Sequence, residues 1–331
     1  MYPPSYTLPR FTREASPAPA KALRSYRERP WPPFAGIRRS CPTIAGMPVQ
    51  DPYAALPAPE ALTRELGSRL PAFQDVAWTA STGSTNADLL GRARAGQGAG
   101  KPWLLGTHLQ ETGRGRAGRP WQNRSGATLM FSCAFDVHLP AAQLPALSPL
   151  AGVAACEALR SVAGPGSRPG LCMKWPNDVQ WGDAKLAGVL VETTRNPGGA
   201  DAGYTVVIGM GVNLIDADAL SLALGRDVAD WTRVAAQSDA RPSTPVDLVC
   251  ASAMAWHDAV RTLEREGFGA FAQRYADVDA LAGRPVNVLD KGAVLMSGTA
   301  RGVDAQGRLL LRTEAGDTPV SVGEISIRPQ A

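Results

Sequence analysis

The sequence predicts an α+β fold with a small β-barrel at its C-terminal end. Two observations lead to this prediction. Between about residues 59 and 282, stretches with helical periodicity are interspersed with apolar, β-branched runs. After Gly283, the chain changes to short alternating runs that are separated by Asp-Lys-Gly, Ala-Gln-Gly and Ala-Gly-Asp turns, a pattern typical of small barrels.

The composition indicates a folded chain without a metal cluster or a membrane segment. Of the 331 residues, 44% are hydrophobic and 19% are charged, which excludes a disordered acidic chain or a collagen-like repeat. Five cysteines and three histidines are scattered without a Cys-x-x-Cys pair, so we expect reduced thiols in the cytoplasm and no zinc site. No apolar run approaches the roughly 18 residues of a membrane span, so no membrane partner is expected.

Residues 1–58 are predicted to form a disordered arm rich in proline and arginine. Residues 1–46 hold nine prolines. They also carry eight cationic and two acidic side chains, which gives this part a net charge of +6. Because the whole chain has a formal charge of +4, the remaining residues carry a net charge of −2. Proline density opposes the helices of a transit peptide or a winged helix-turn-helix. A start codon assigned too early also explains the arm, with the true start near Met47. A nucleic-acid-binding regulator that uses this arm is an alternative function, although the acidic remainder argues against it.

The elements follow from hydrophobic period and turn residues. Leucines at 62, 66 and 70 give a helical period, and Ser84, Thr85 and Asn86 are suited to cap the helix after them. Ser148 is expected to cap the long helix that follows it. The predicted order is helix 59–70, strand 76–79, helix 87–95, strands 103–109 and 126–137, helix 149–162, strands 171–175, 186–192 and 204–213, helices 247–266 and 268–275, and barrel strands 286–289, 294–299, 309–312 and 320–327.

A glycine and arginine loop lies between two of these strands. Residues 113–118 match G-x-G-x-x-G, and Asp136 stands about where a dinucleotide site needs an acid. That fingerprint requires a helix directly after the glycines, whereas a strand pattern follows here, so a dinucleotide site is excluded. Arg114, Arg116 and Arg119 on a flexible backbone are suited to clamp a polyanion, but they also fit a solvated surface loop.

The second candidate segment is Lys174-Trp-Pro-Asn-Asp178 followed by Lys185-Leu-Ala-Gly188. A single lysine at a strand edge usually serves to prevent edge-to-edge pairing. Two lysines, an Asn-Asp pair and a Trp-Pro bond within a dozen residues instead favour a site. Gly188 permits either a β-bulge or the close approach of a ligand.

These segments, in this order, carry a resemblance to a known family. Gly83-Ser-Thr-Asn86, the loop from Gln110 to Trp121, and the two lysine segments resemble those of biotin protein ligases. Ile208-Gly-Met-Gly-Val-Asn213 and Gly323-Glu-Ile-Ser-Ile-Arg328 extend the similarity to about residues 60–328. The resemblance implies a class II synthetase-like catalytic domain over 59–282 and an SH3-like domain over 283–331. The chain resembles the monofunctional class of this family, because no winged helix-turn-helix is expected before the catalytic domain. No DNA partner is therefore expected.

The family's activity sets further expectations. Biotin reacts with ATP to give biotinyl-5′-adenylate, and the biotin is then transferred to a lysine of the biotin carboxyl carrier protein of acetyl-CoA carboxylase. Mg²⁺ is expected to arrive with ATP, with no metal site built by protein ligands alone, and a homodimer is possible. A lipoate or octanoyl ligase or transferase of the same superfamily is the alternative enzyme.

The resemblance also implies the site residues. Lys185 and Arg116 are expected in the first step, and Asp178 is our hypothesis for orienting or deprotonating the acceptor amine. Ala117 departs from the arginine that repressor-type members carry. Biotin is expected to contact Ser84, Thr85, Asn86, Gln110, Arg114, Gly115, Arg116, Lys185 and Gly188. ATP or the adenylate is expected to contact Arg114, Arg116, Arg119, Trp121, Lys174, Asn177, Lys185, Asn213 and Arg328.

Overall fold

The computed structural model describes residues 56–98, 100–198, 202–238, 242–323 and 326–330. Most of the predicted arm, residues 1–55, therefore lies outside the described residues. Of the last three residues of the predicted arm, Leu56 is buried while Pro57 and Ala58 are exposed, and the Pro57 carbonyl lies 3.0 Å from Nε2 of His108. An apolar side chain and a backbone partner thus extend the ordered part beyond the predicted boundary at residue 59.

The described chain forms seven α-helices and twelve strands, joined by short 3₁₀ turns. The helices are α1 (Pro59–Arg69), α2 (Thr85–Arg94), α3 (Leu147–Ala163), α4 (Ala217–Leu224), α5 (Trp231–Gln237), α6 (Pro245–Glu266) and α7 (Ala272–Val278). The strands are β1 (Asp75–Thr82), β2 (Trp103–Gln110), β3 (Thr128–Val137), β4 (Leu171–Lys174), β5 (Asp178–Trp181), β6 (Ala184–Arg195), β7 (Tyr204–Asn213), β8 (Pro285–Asp290), β9 (Ala293–Val303), β10 (Leu309–Thr313), β11 (Gly316–Val320) and β12 (Ser326–Pro329).

A seven-stranded mixed sheet carries the larger part of the molecule. Its order is β1-β2-β3-β7-β6-β5-β4, with β1 and β2 parallel and every other pair antiparallel. Side chains alternate between two faces, so Cys133 and Phe135 join the main core while Ala134 packs in a smaller cluster with Leu89 and Leu90 of α2. Helices α3 and α6 pack on the main-core face and α2 on the other.

A second, five-stranded antiparallel sheet follows in the order β11-β10-β9-β8-β12. It packs on the turn between β4 and β5, where the Trp175 indole Nε1 donates to the Gly307 carbonyl at 3.0 Å in a buried contact. The predicted α+β class with an all-β C-terminal region is thereby confirmed. The path of the chain also brings Gly323 to the loop after β2, where its carbonyl accepts from Arg116.

Several local predictions need correction. Helix α3 begins at Leu147, so Ser148 lies inside it, and Ala146 occupies the N-cap position without a side-chain bond. The preceding 3₁₀ turn, Ala141–Ala146, runs directly into the helix and removes the need for a polar cap. Strand β5 and helices α4 and α5, of four, eight and seven residues, were not predicted. No helix among the described residues is long and apolar enough to span a membrane.

Candidate active site

A cavity of about 170 Å³ lies where the first turn of α2, the loop after β2 and the β4–β5 turn meet. Strands β6 and β7 form its floor, and the C-terminal segment around β12 closes one side. Of the predicted site residues, all but Asn213 line it: Ser84, Thr85, Asn86, Gln110, Arg114, Gly115, Arg116, Arg119, Trp121, Lys174, Asn177, Asp178, Lys185, Gly188 and Arg328. Tertiary folding thus joins residues that are up to 244 positions apart in sequence, from Ser84 to Arg328.

One wall is neutral and hydrogen-bonding. Ser84 is the N-cap of α2, as predicted, and its Oγ accepts from the Ala87 N–H at 3.4 Å. The Thr85 N–H donates to Oε1 of Gln110 at 2.9 Å, which ties the helix start to the end of β2. Ser84, Thr85 and Asn86 are all buried. Hydroxyl and amide groups in such a pocket can pair with a neutral polar ring without burying a charge.

The glycine and arginine loop is closed by its own backbone. The Gly115 N–H donates to the Arg119 carbonyl at 2.7 Å, and the Trp121 N–H donates to the Gly113 carbonyl at 2.9 Å. A single 3₁₀ turn at Arg116–Gly118 lies within the loop, and the next element is β3, so the strand that was predicted to follow the loop is present. Ala117 lies in the left-handed region at φ 54°, where a Cβ is unfavourable by roughly 1 kcal/mol.

Arg116 joins the loop to two other parts of the cavity. Its Nη1 donates to Oδ1 of Asn177 at 3.2 Å, and its Nη2 donates to the Gly323 carbonyl. Burial lowers the pKa of Arg116. The Asp178 carboxylate opposes this shift, and the neighbouring positive charge of Arg119 adds to it. A guanidinium nevertheless stays charged in proteins, so Arg116 presents a cation that is partly stripped of water.

The opposite wall is cationic. Seven cationic side chains line the cavity, and Asp178 is the single carboxylate among its described lining residues. They are Arg114, Arg116, Arg119, Lys174, Lys185, Arg226 and Arg328. Burial, Arg328, Lys185 and Arg226 together lower the pKa of Lys174 to about 8, although Asp178 opposes them. Such an excess of cations fits a bound polyanion, whose charge would relieve their mutual repulsion.

Asp178 is paired with Lys185. The Lys185 Nζ donates to Oδ1 of Asp178 at 2.5 Å, across the antiparallel strands β5 and β6. Burial alone would raise the pKa of Asp178, but the charge and hydrogen bond of Lys185, followed by Lys174 and Arg226, lower it below the usual value. A carboxylate of this kind stays ionised and orients an ammonium group, whereas it is a weak base for proton removal.

Trp121 covers the floor of the cavity. A Cβ on Gly211 would lie 2.5 Å from the Trp121 indole, and one on Gly188 would lie 3.1 Å from it. These two glycines are register partners in β6 and β7, so together they make room for the ring. The indole Nε1 is buried without an acceptor among the described residues, and Lys185 Nζ lies 5.3 Å from the ring centroid. A group bound in the cavity could accept a hydrogen bond from this indole N–H.

Two predicted site residues act as braces. The Asn177 amide accepts from Arg116 and donates to the Val189 carbonyl at 2.5 Å. It therefore links the arginine loop to strand β6. Asn213 lies outside the cavity lining, and its Nδ2 donates to the carbonyls of Lys185 and Ala229 at 3.3 and 3.1 Å. The Asn213 amide therefore holds the strand that carries Lys185, and its contact with a nucleotide stays a prediction.

Four functional positions were missed at the level of sequence. Arg226 lies in the connection before α5 and lines the cationic wall. Gly211 and Ser132 line the floor, and Glu192 accepts hydrogen bonds from Asn86 and Arg114. Glu192 could have been found, because it lies two residues beyond Leu190 and four beyond Gly188 on one face of β6. Arg226 gives no such signal, because it lies in a short irregular connection.

The protein does not supply a metal cage in the part that the structure describes. Among those residues, no group of three or more His, Cys, Asp or Glu side chains lies close enough to hold a metal ion. The Asp178 carboxylate is already occupied by Lys185. A divalent cation would thus have to share its ligands with the phosphates of a bound nucleotide.

Comparison with known proteins identifies the family. Residues 81–213 match the model of the biotin/lipoate A/B protein ligase family, and residues 282–328 match the biotin protein ligase C-terminal domain. The chain is 34% identical over 255 residues to the biotin–[acetyl-CoA-carboxylase] ligase of Mycobacterium tuberculosis, covering 74% of this chain and 86% of that one. The chain belongs to the biotin protein ligase family. The predicted family and enzyme class are confirmed, and the C-terminal domain favours a biotin ligase over the lipoate alternative.

Further relatives agree with this membership. The bifunctional ligase/repressor BirA of Salmonella typhimurium is 31% identical over 248 residues, which cover 75% of this biotin ligase and 72% of the relative. A solved biotin protein ligase from Aquifex aeolicus, in complex with biotin and ATP, shares the fold with a TM-score of 0.60 at 22% identity. That likeness covers 78% of this chain and the whole of the other.

Proposed function

We propose that this chain activates biotin with ATP and transfers the biotin to a lysine of a carrier protein. The observation that carries the proposal is one cavity with two chemically different walls. The first, at Ser84, Thr85, Asn86 and Gln110, suits a neutral ureido ring. The second, with seven cations, suits a carboxylate and a triphosphate held together.

In the first step, the biotin carboxylate attacks the α-phosphorus of ATP, and pyrophosphate leaves. A carboxylate is ionised at neutral pH and needs no base, so the protein must align two anions and neutralise their charge. Lys185 is suited to contact both the carboxylate and the α-phosphate, because it lines the cavity with its ammonium beside Asp178 and 5.3 Å from the centroid of the Trp121 ring on the floor. Arg114, Arg116 and Arg119 hold the phosphates and close the loop over them.

In the second step, the acceptor amine attacks the mixed anhydride and releases AMP. We propose that Asp178 orients the amine and balances the charge of Lys185, since its lowered pKa makes it a weak base. The acceptor is expected to be the biotin carboxyl carrier protein of acetyl-CoA carboxylase. Residues 59–282 would carry both steps, and residues 283–331 would form an SH3-like domain that closes one side of the cavity.

Mg²⁺ enters this scheme with the substrate ATP. It would neutralise phosphate charge and assist the departure of pyrophosphate. The described cysteines, Cys133, Cys156, Cys172 and Cys250, are free thiols, and we infer from this a reducing, cytoplasmic compartment. A homodimer and the absence of a DNA partner stay predictions.

The test is exchange of labelled pyrophosphate into ATP, which reports the first step alone. We expect exchange that depends on biotin and falls at least 100-fold in Lys185→Ala, because a positioned cation of this kind contributes roughly 3 kcal/mol. Lys101→Ala is the matched control, since Lys101 is also paired with an aspartate, Asp136, but outside the cavity. Exchange with lipoate and none with biotin would contradict the proposal.

A further inference from the structure

One carboxylate bridges the two walls of the cavity. Oε2 of Glu192 accepts from Nδ2 of Asn86 at 2.9 Å, on the neutral wall. Its other oxygen, Oε1, accepts from Nη2 of Arg114 at 3.0 Å, on the cationic loop. Asn86 and Arg114 are 28 residues apart in sequence and belong to different elements, so Glu192 is a direct link between them.

The link continues through a chain of buried hydrogen bonds. Ser132 Oγ donates to Oδ1 of Asn86 at 2.6 Å, and the Thr85 hydroxyl lies 2.7 Å from Ser132 Oγ. Ser132 uses its single hydrogen on Asn86, and the Thr85 hydroxyl, whose oxygen also lies 3.2 Å from Oε1 of Gln110, donates its one hydrogen either to Ser132 or to Gln110. Thr85 in turn donates its backbone N–H to Gln110. The network therefore runs from Gln110 to Arg114 through Thr85, Ser132, Asn86 and Glu192.

Glu192, together with the Leu190 carbonyl that accepts from Nδ2 of Asn86 at 3.4 Å, fixes which way the Asn86 amide faces. A carboxylate can only accept, so the Asn86 nitrogen must point to Glu192 and its oxygen to Ser132. The floor leaves space for this arrangement: Gly209 is the register partner of both Ser132 and Leu190, and a Cβ there would lie 2.1 Å from Oδ1 of Asn86. The absence of that side chain allows the amide to reach the strands.

We propose that Glu192 is a positioning residue that holds Asn86 in its ring-binding orientation and Arg114 in its loop conformation. The proposal rests on the function proposed above. An isolated Arg–Glu pair at a partly exposed position contributes little, and Arg114 is 43% exposed. The other oxygen of Glu192 accepts from the amide of Asn86, which is buried. This second hydrogen bond distinguishes Glu192 from the partner in an isolated surface ion pair. Recognition of a neutral ring would thereby be coupled to the order of the phosphate-binding loop.

The first test needs no ligand. Glu192→Gln keeps the shape but places an NH₂ group against a donor, so at least one of the two bonds is lost. We expect the amides of residues 113–121 to exchange hydrogen at least fivefold faster than in the wild type. Glu157→Gln is the matched control, because Glu157 pairs with Arg274 at 2.5 Å and lies outside the cavity lining. Unchanged exchange in Glu192→Gln would overturn the proposal.

The second test separates positioning from general destabilisation. In calorimetric titration with biotin alone, we expect Glu192→Gln to bind about tenfold more weakly than the wild type. In an Asn86→Ala background, we expect Glu192→Gln to weaken the affinity for biotin by less than twofold, because Glu192 acts on the ring through Asn86. A full tenfold loss in that background would overturn the proposal. If the wild type itself does not bind biotin, the proposed function is wrong. Hydrogen exchange of residues 113–121 still decides in that case whether Glu192 holds Arg114.

Discussion

Lys174 illustrates how the cavity changes the chemistry of a single side chain. Its pKa is lowered to about 8 by burial and by the neighbouring Arg328, Lys185 and Arg226, and it is raised again in part by Asp178. Below pH 8 the ammonium is charged and attracts phosphate, and above pH 8 it becomes neutral. Bound ATP would favour the charged form and restore a higher pKa.

The affinity for ATP should therefore depend on pH. We expect the dissociation constant to rise by roughly tenfold at most between pH 7 and pH 9, since one proton is linked to binding. Lys174→Arg should remove most of this rise, because a guanidinium does not titrate in that range. Calorimetric titration with ATP at pH 7, 8 and 9 measures both. An identical pH dependence in the two proteins would rule out Lys174 as the source.

At the scale of elements, the end of α7 joins the two sheets through a buried carboxyl. Oδ1 of Asp279 accepts from the Leu281 N–H at 2.8 Å and from the Tyr275 hydroxyl at 3.2 Å. The Ala280 N–H donates to the Met173 carbonyl on β4 at 3.0 Å, so the connection lies against the edge of the larger sheet. Oδ2 is buried without a partner in the described part of the chain. Burial raises the pKa of Asp279 to about 6, although the two hydrogen bonds oppose this.

This connection should weaken as the pH rises. The folded pKa of about 6 exceeds the ordinary value of 3.8, so the folded state retains a proton that the unfolded chain has lost between these values. The stabilising contribution of Asp279 to the free energy of unfolding is thus fully present below pH 3.8, and it is lost as the pH rises through 6. Asp279→Asn carries no charge and should be more stable than the wild type by about 3 kcal/mol at pH 7.5, with little difference at pH 3, because a shift of roughly two pKa units corresponds to about 3 kcal/mol. Urea unfolding at both values measures this, and an equal difference at the two would refute it.

At the scale of the whole molecule, the formal charge of +4 conceals where the cations act. Seven of them surround one cavity and repel one another, so a bound polyanion should stabilise the folded state. At 100 times its dissociation constant, a ligand contributes about 2.7 kcal/mol. Salt should weaken the effect, because screening at 1 M reduces the Debye length to about 3 Å.

Pyrophosphate is the probe for this effect, since it lacks the adenine and ribose. We expect it to raise the unfolding temperature, and we expect Arg226→Gln to reduce that rise. Arg265→Gln is the matched control, because Arg265 is an exposed arginine on α6 that pairs with Glu266. Differential scanning fluorimetry at low and high salt measures both variants. An undiminished rise in Arg226→Gln would show that this arginine does not contact the phosphates.

The individual site residues followed from the resemblance to biotin protein ligases. The sequence alone determined the fold class, most of the strands beside the motifs, and the polar segments that line the cavity. Residue type and spacing suffice for these, because the polar segments are short and contiguous and stand beside apolar runs. The resemblance to biotin protein ligases followed from the same segments. For Asn213, sequence reasoning could not reveal that its amide would be used by two backbone carbonyls.

Only the tertiary structure decided which side chains meet across elements. Glu192 lies 78 residues from Arg114, and Arg226 lies 41 residues from Lys185; neither is near its partner until β6, β7 and the connection before α5 come together. The physical reason is that sheet register sets such distances to within an ångström, whereas a sequence pattern specifies only which face a residue occupies. The site's neutral and cationic walls were visible as residue types, but the carboxylate that joins them was not.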